Sequence, residues 1–252
     1  MKTIRNIKNG VYGSVIALGL LTAVSAHADV TDGDASSYAL QANLFGSPLI
    51  GPIPTSSATG NQSNSSSVIS LDTPFLDTGI LNSSASSNVD GSPGSKTAES
   101  SSSIAYLDLD ILWNGLSADV ISSSSSVSGD YGSFNAVGSS SIIGLTGYGL
   151  FSGLNGVAIT GAPNQTLLSL AGIEVIANRQ TSTCSASDCF MTTDALYIDV
   201  LGKTTLTLAS SYAHLAGTAP IPEPETYAMM LAGLAGMAGS KRMRNKVRAI
   251  KA

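Results

Sequence analysis

Apolar and polar residues alternate with a period of two over much of the chain between residues 29 and 221. In Ile104–Trp113, Leu107, Leu109 and Ile111 fall on one side while Tyr106, Asp108 and Asp110 fall on the other, the spacing of a strand with one dry face. The same grammar predicts strands over Ser37–Leu44, Val68–Asp72, Ala136–Leu145, Leu167–Ala177, Ala195–Leu201 and Thr204–Tyr212. Clusters of Gly, Pro, Asn and Ser separate them and supply turns. No long segment in this region carries a helical stripe. The fold class predicted is all-β: a single β-sandwich or barrel-like domain with long Ser/Gly-rich strands and loops.

Serine tracts complicate that pattern. Ser63–Ser67, Ser83–Ser87, Ser100–Ser103 and Ser122–Ser126 are costly to bury, because a dry hydroxyl needs a partner. The expectation is that they face solvent along strands, with loops or glycan acceptors as the alternative. Three stretches, at Tyr38–Gly46, Ala105–Gly115 and Ala195–Gly202, share a small–aromatic–apolar pattern ending in Gly. Their spacing is irregular, so strand grammar explains them better than duplication.

Both ends break the alternation. Lys2, Arg5 and Lys8 precede an uncharged, mostly apolar run from Val11 to Val24, and Ala26-His27-Ala28 follows. A basic segment, a short apolar segment and small residues at Ala26 and Ala28 make a secretory signal, cut by signal peptidase after Ala28. At the other end, Ile221-Pro222-Glu223-Pro224-Glu225 leads into the uncharged stretch Thr226–Ser240, and then into Lys241, Arg242, Arg244 and Lys246. The two prolines forbid a regular helix across the motif and hold it extended. The apolar stretch predicts a helix of about 22 Å, short against a bilayer core of about 30 Å. Snorkelling basic side chains or local thinning complete the span. The basic cluster places the C-terminus in the cytoplasm. The expected organisation is therefore a signal helix over 1–28, an exported β-domain over 29–220 and an anchoring tail with one transmembrane helix over 221–252.

Charge is divided along the same lines. The whole chain carries −5, yet only Lys96, Arg179 and Lys203 stand against fifteen acids between Asp29 and Ile221. A body this acidic repels phosphate backbones, so nucleic acid is not an expected partner. Cys184 and Cys189 are the two cysteines, and in an exported chain such a pair reads as a disulfide that pins one turn.

The search for chemistry is short. Gly-x-Ser-x-Gly, His-Glu-x-x-His and P-loop patterns are missing, and His214 is the one histidine after signal removal. A Ser–His–Asp hydrolase would have to use it, whereas a solvent-facing strand-end histidine is the commoner case. Asp32-Gly33-Asp34 and Asp108/Asp110 offer hard oxygen ligands without the complete spacing of a calcium loop, so solvated acids are expected. No catalytic, metal or cofactor residue is assigned. Trp113 is the residue singled out for carbohydrate stacking; Tyr38, Tyr106, Tyr131, Tyr148 and Tyr197 share that chemistry but also fill β cores.

The tail resembles the PEP-CTERM sorting signal: Pro222-Glu223-Pro224, an apolar helix rich in Ala, Gly and Leu, and a Lys/Arg cluster, in that order. Ile221 stands where valine is commoner, and the tail runs on through Val247–Ala252. The resemblance implies a substrate of exosortase, a membrane-embedded cysteine transpeptidase, and not an enzyme. It implies a Gram-negative surface or matrix protein, an inner-membrane intermediate, and a link to exopolysaccharide and biofilm; a glycan-binding adhesin is the alternative. The body resembles the choice-of-anchor P family through Ser37–Gly46, Gly51-Pro52-Ile53-Pro54, the cysteine pair, Ala195–Val200 and Ala209–His214. That resemblance implies an exported domain without catalytic residues.

Overall fold

The computed structural model describes residues 28–111, 113–219 and 230–235. The chain divides into two compact units, one of Asp29–Ala219 and one of Met1–Ala28 with Pro220–Ala252. In the second unit residues 230–235 are helical and exposed. The predicted signal helix and the rest of the predicted membrane span lie outside the described residues. Among the described residues no helix is long and apolar enough to cross a membrane.

Asp29–Ala219 is all-β, as the alternation predicts. Fourteen strands run in chain order: β1 (Asp29–Leu44), β2 (Ser47–Thr59), β3 (Asn61–Val68), β4 (Leu71–Thr73), β5 (Leu76–Thr78), β6 (Leu81–Asn88), β7 (Lys96–Ile111), β8 (Asn114–Asp130), β9 (Ser133–Ile143), β10 (Thr146–Tyr148), β11 (Gln165–Leu170), β12 (Ile173–Cys184), β13 (Asp188–Val200) and β14 (Thr204–Thr218). A 3-10 turn, Gly149–Leu154, buries Phe151 and Leu154. One sheet has the order β11-β12-β13-β14-β1-β2. The other is centred on β7 and β8. The first part of β7 pairs with β6 and the last part with β5, while β8 pairs with β9 and β10. The sheets stack face to face and nearly close at both edges. On one side β2 passes through Gly60 into β3; on the other, Gln180 Nε2 of β12 donates to the Gly138 carbonyl of β9 at 2.9 Å.

Two predicted strands are corrected. Leu167–Ala177 is a hairpin, not one strand: β11 and β12 meet at Ala171 and Gly172, both with positive φ (50° and 82°). Alanine rarely adopts that conformation, so the turn carries a weak sequence signal. Val68–Asp72 is interrupted, with Val68 ending β3 and Leu71 opening β4.

A more consequential departure concerns the serines. Many are buried. Ser66, Ser83, Ser102, Ser123 and Ser140 stand opposite one another across β3, β6, β7, β8 and β9, and the central three are buried. Hydroxyls of several buried serines on β7 and β8 reach the other sheet. Ser102 Oγ donates to the Ser210 carbonyl at 3.0 Å, Ser100 Oγ to Tyr212 at 2.8 Å, and Ser125 Oγ to Ser211 at 3.0 Å. From the β1–β2 side, Ser37 Oγ donates to Ser84 at 2.9 Å and Ser56 Oγ to Ser83 at 3.0 Å. A side chain as short as serine can reach backbone only if the sheets approach well inside the ~10 Å usual for sheet stacking. The burial cost is thus met by the facing sheet's own carbonyls.

The rest of the interior is mainly apolar. Leu40, Leu81, Ile104, Leu107, Leu116, Leu196 and Leu208 are fully buried in one cluster, and a smaller cluster gathers Val30, Ala35, Val89, Val127, Met191 and Leu215. Between the serine-lined and leucine-lined parts the inward parity of the strands reverses. Ala39, Ala209, Ala195 and Asn178 lie side by side across β1, β14, β13 and β12, all buried, and Ala209 and Asn178 have φ near 50°. Tyr106, φ 63°, marks the reversal in β7. Such bulge-like irregularities flip a strand's faces. They let one strand put serine inward in one half and leucine inward in the other.

Candidate functional site

Three arrangements of chemically capable side chains stand out. The first is the histidine clamp. His214 on β14 lies opposite Asp34 of β1 and Phe190 of β13. Its Nδ1 is 2.7 Å from Asp34 Oδ1 and its Nε2 is 3.1 Å from Asp188 Oδ2. Burial pulls the imidazole pKa down, but hydrogen bonds and charge from Asp188 and Asp34 outweigh it and hold the pKa above its usual 6.5. The ring of Tyr212 stacks between Phe190 and His214, at 6.5 Å and 6.3 Å between centroids. A general base needs one ring nitrogen directed at a nucleophile. Here both nitrogens face carboxylates, so the geometry clamps three strands together and presents no Ser–His pair.

The second is the β12–β13 turn. Cys184 and Cys189 are paired in register and joined by the disulfide that the sequence suggests. Ser185 Oγ accepts from the Asp188 amide at 3.0 Å and braces the turn. Asp188, a clamp residue, is therefore set by the disulfide next to it.

The third lies on the outer face of the β7–β8 sheet, at the end beyond the parity reversal. Asp72, Asp77 and Asp108 are cross-strand neighbours on β4, β5 and β7. Asp110 lies opposite Gly115, which pairs in turn with Tyr148. A Cβ at Gly115 would collide with the Tyr148 ring, so glycine allows that ring to lie against β8. Tyr106 is 47 % and Tyr148 46 % exposed. Trp113, in the turn from β7 to β8, is 89 % exposed with φ 73°. The charge of Asp108, followed by desolvation and Asp77, raises the Tyr106 pKa; desolvation and then Asp110 raise that of Tyr148. Among the described residues no cation pairs with these acids: Lys96 is bound to Asp90 and Arg179 to Asp194.

Calcium-type ligation is not assembled in either place named from the sequence. Asp32 and Asp34 stand on a strand, Asp34 is engaged by His214, and Gly33 sits tightly against Val89, Leu215 and Ser87. Among the described residues no group of three His, Cys, Asp or Glu converges on a metal position. Of the predicted site residues at the termini, Ala28 is described and is irregular. Ala26, Pro222, Glu223, Pro224, Glu225, Lys241, Arg242, Arg244 and Lys246 lie outside the described residues. The clamp went unread in the sequence because its three members are 180 and 26 residues apart. The exposed Trp113 was singled out from the sequence; the alignment of Asp72, Asp77 and Asp108 across three strands needed the register.

Comparison with known families matches the tail. Residues 220–245 are a PEP-CTERM protein-sorting motif. The motif carries with it export, a membrane-anchored C-terminal sorting signal and processing by exosortase. No curated protein matches the chain. Among solved structures, Ail, the attachment invasion locus protein of Yersinia pestis, aligns with 75 % of this chain and 99 % of its own at 6 % identity and a TM-score of 0.18. A likeness that slight carries no argument about fold or function.

Proposed function

We propose that the PEP-CTERM chain is a non-catalytic surface or matrix protein of a Gram-negative bacterium, sorted by exosortase and working alongside exopolysaccharide in a biofilm. The observation that carries this reading is the sorting motif at 220–245. Signal peptidase removes residues 1–28 after export. The tail halts in the inner membrane with Lys241–Lys251 on the cytoplasmic side, and exosortase cuts at or near Pro222–Glu225. The Asp29–Ala219 unit then leaves the membrane as a body of choice-of-anchor P type. Its construction suits that destination: a disulfide survives in an oxidising compartment, and a strongly acidic surface keeps a released β-domain soluble.

The test is replacement of Pro222, Glu223 and Pro224 by alanine in the producing cell, followed by fractionation and intact mass. The expected result is full-tail protein retained in the inner membrane, with the parent ending near Pro222–Glu225. Unchanged processing and release of the triple variant would overturn the reading.

A further inference from the structure

We propose that the outer face formed by Tyr106, Trp113 and Tyr148 around Asp77, Asp108 and Asp110 is a binding face for a polysaccharide that bears free amino groups. The inference rests on the surface or matrix role proposed above and names its partner's chemistry.

Three observations lead there. The first is the exposure of three aromatic side chains at one end of the β7–β8 sheet, Tyr106 on β7, Tyr148 on β10 and Trp113, at 89 %, in the turn between β7 and β8. An aromatic ring takes up the apolar faces of sugar rings, and Tyr and Trp also carry a polar group for hydroxyls. Exposure of such rings costs solvation unless a partner covers them. Glycine at 115 keeps Tyr148 flat against the strand and outward-facing.

The second is charge. Asp72, Asp77 and Asp108 stand directly opposite one another across three strands, and like charges in that register destabilise a sheet. Among the described residues no basic side chain offsets them. The face therefore favours a cationic occupant and rejects an anionic one. Arginine-poor and lysine-poor surroundings extend that preference over the whole β-unit, where three cations stand against fifteen acids.

The third is relief and surrounding chemistry. Toward the middle of the same face runs an apolar row of Ile80, Ala105, Val120 and Ile143, exposed and in register. Beyond it Ser65, Ser84, Ser101, Ser124 and Ser139 form a five-strand row of hydroxyls. Side chains this short leave a shallow trough of about 610 Å³ over the serine-lined region. Apolar strips beside hydroxyl rows, ending in aromatics and carboxylates, match the alternation of apolar ring faces and polar edges along a glycan. Ammonium groups on that glycan supply the missing countercharge to Asp77, Asp108 and Asp110. A protein partner of basic character meets the same charges but gains nothing from a row of hydroxyls on a flat strand face.

The experiment is direct binding of the purified full chain, held in mild detergent, to glucosamine oligomers. N-acetylglucosamine oligomers and cello-oligomers of equal length serve as neutral comparisons. Titrations are run at a pH where the amine is protonated, at low and high salt. Expected are measurable binding of the amino oligomer, at least tenfold weaker binding of both neutral oligomers, and weakening by salt. Trp113→Ala and Asp108→Asn should each reduce affinity about tenfold or more, while Phe45→Ala, an exposed aromatic on the other sheet's β1–β2 turn, leaves it unchanged. Circular dichroism and melting curves identify a variant that has failed to fold, and Asp77→Asn then replaces it. Absence of binding, or binding indifferent to these variants, overturns the proposal. Equal binding of neutral oligomers overturns the amino-group assignment. Self-association that Trp113→Ala abolishes would make the face a contact between copies and overturn it as a glycan site. Binding is read on purified protein and sorting in cells, so failure of one leaves the other result standing.

Discussion

His214 Nδ1 stands 2.7 Å from Asp34 Oδ1, across a strand pair whose members are 180 residues apart in sequence. Asp188 holds the other ring nitrogen, Asp32 lies nearby on β1, and Tyr212 covers one ring face. The imidazolium thus ties β1, β14 and β13 together. Because the folded pKa lies above the unfolded value of 6.5, the charged clamp's stabilisation is fully present below about pH 6.5 and is lost as pH rises through the folded pKa. The expected contribution is about 0.5–1 kcal/mol, as for partly screened pairs. Urea midpoints measured from pH 5 to pH 9 should fall across that window in the parent. In His214→Gln the fall should flatten; an undiminished slope would assign it to other groups.

Neighbouring serines should behave oppositely. Ser125 Oγ is buried, 3.0 Å from the Ser211 carbonyl and from the hydroxyls of Thr193 and Ser211. Ser124, one residue away, faces solvent with Ser139. Ser125→Ala should cost about 1–3 kcal/mol, since it strips a partner from dry polar groups. Ser124→Ala should stay within about 0.5 kcal/mol. Ser125→Leu should cost more than Ser125→Ala, because it forces apart sheets that meet through hydroxyls. Thermal or urea unfolding of the three variants checks the order.

Arg179 is not replaceable by lysine. Its Nε and Nη2 both donate to Asp194 Oδ2, at 2.9 and 2.6 Å, while the guanidinium carbon sits 3.5 Å over the Tyr197 ring. Asp194 is buried. Arg179→Ala should destabilise by about 2 kcal/mol. That is below the usual figure for a fully buried pair, because the arginine is 38 % exposed and water screens it. Arg179→Lys should recover less than half, as a compact ammonium can neither fork nor stack as a plane. Denaturant unfolding of the two variants measures both.

The Cys184–Cys189 bridge closes a short loop, so its loss should cost about 2 kcal/mol on the chain-entropy account. Cys189 is fully buried beside the Val30 and Leu215 cluster, whereas Cys184 is exposed. Cys189→Ser should therefore be worse than Cys184→Ser, since it also places a hydroxyl in an apolar site. Melting temperatures with and without reductant, compared with the two variants, test this.

Much was legible from sequence, and the reason is local. Alternation at Leu107 and Leu109 against Tyr106 and Asp108 reports which face is dry, because a strand's two sides are set by adjacent residues. The cysteine pair, five positions apart, could be read for the same reason. The tail's Pro222-Glu223-Pro224, apolar stretch and basic cluster form a linear signal, recognisable without a fold. Tertiary structure decided the rest. Whether Ser102 or Ser101 is dry depends on the opposite sheet's approach, and Ser210's carbonyl comes from 108 residues away. Ala171 and Ala209 adopt positive φ, which alanine's own preference opposes, so packing and pairing impose the turn and the parity reversal. His214 became a clamp, and Asp108 joined Asp77 and Asp72 in one acidic row, only when β-register brought distant residues side by side. Ser63–Ser67 does lie on the outer side as expected, but alternate serines of the other tracts, Ser83, Ser87, Ser100, Ser102, Ser123 and Ser125, are buried, because short hydroxyl side chains let two backbones come close enough to satisfy each other.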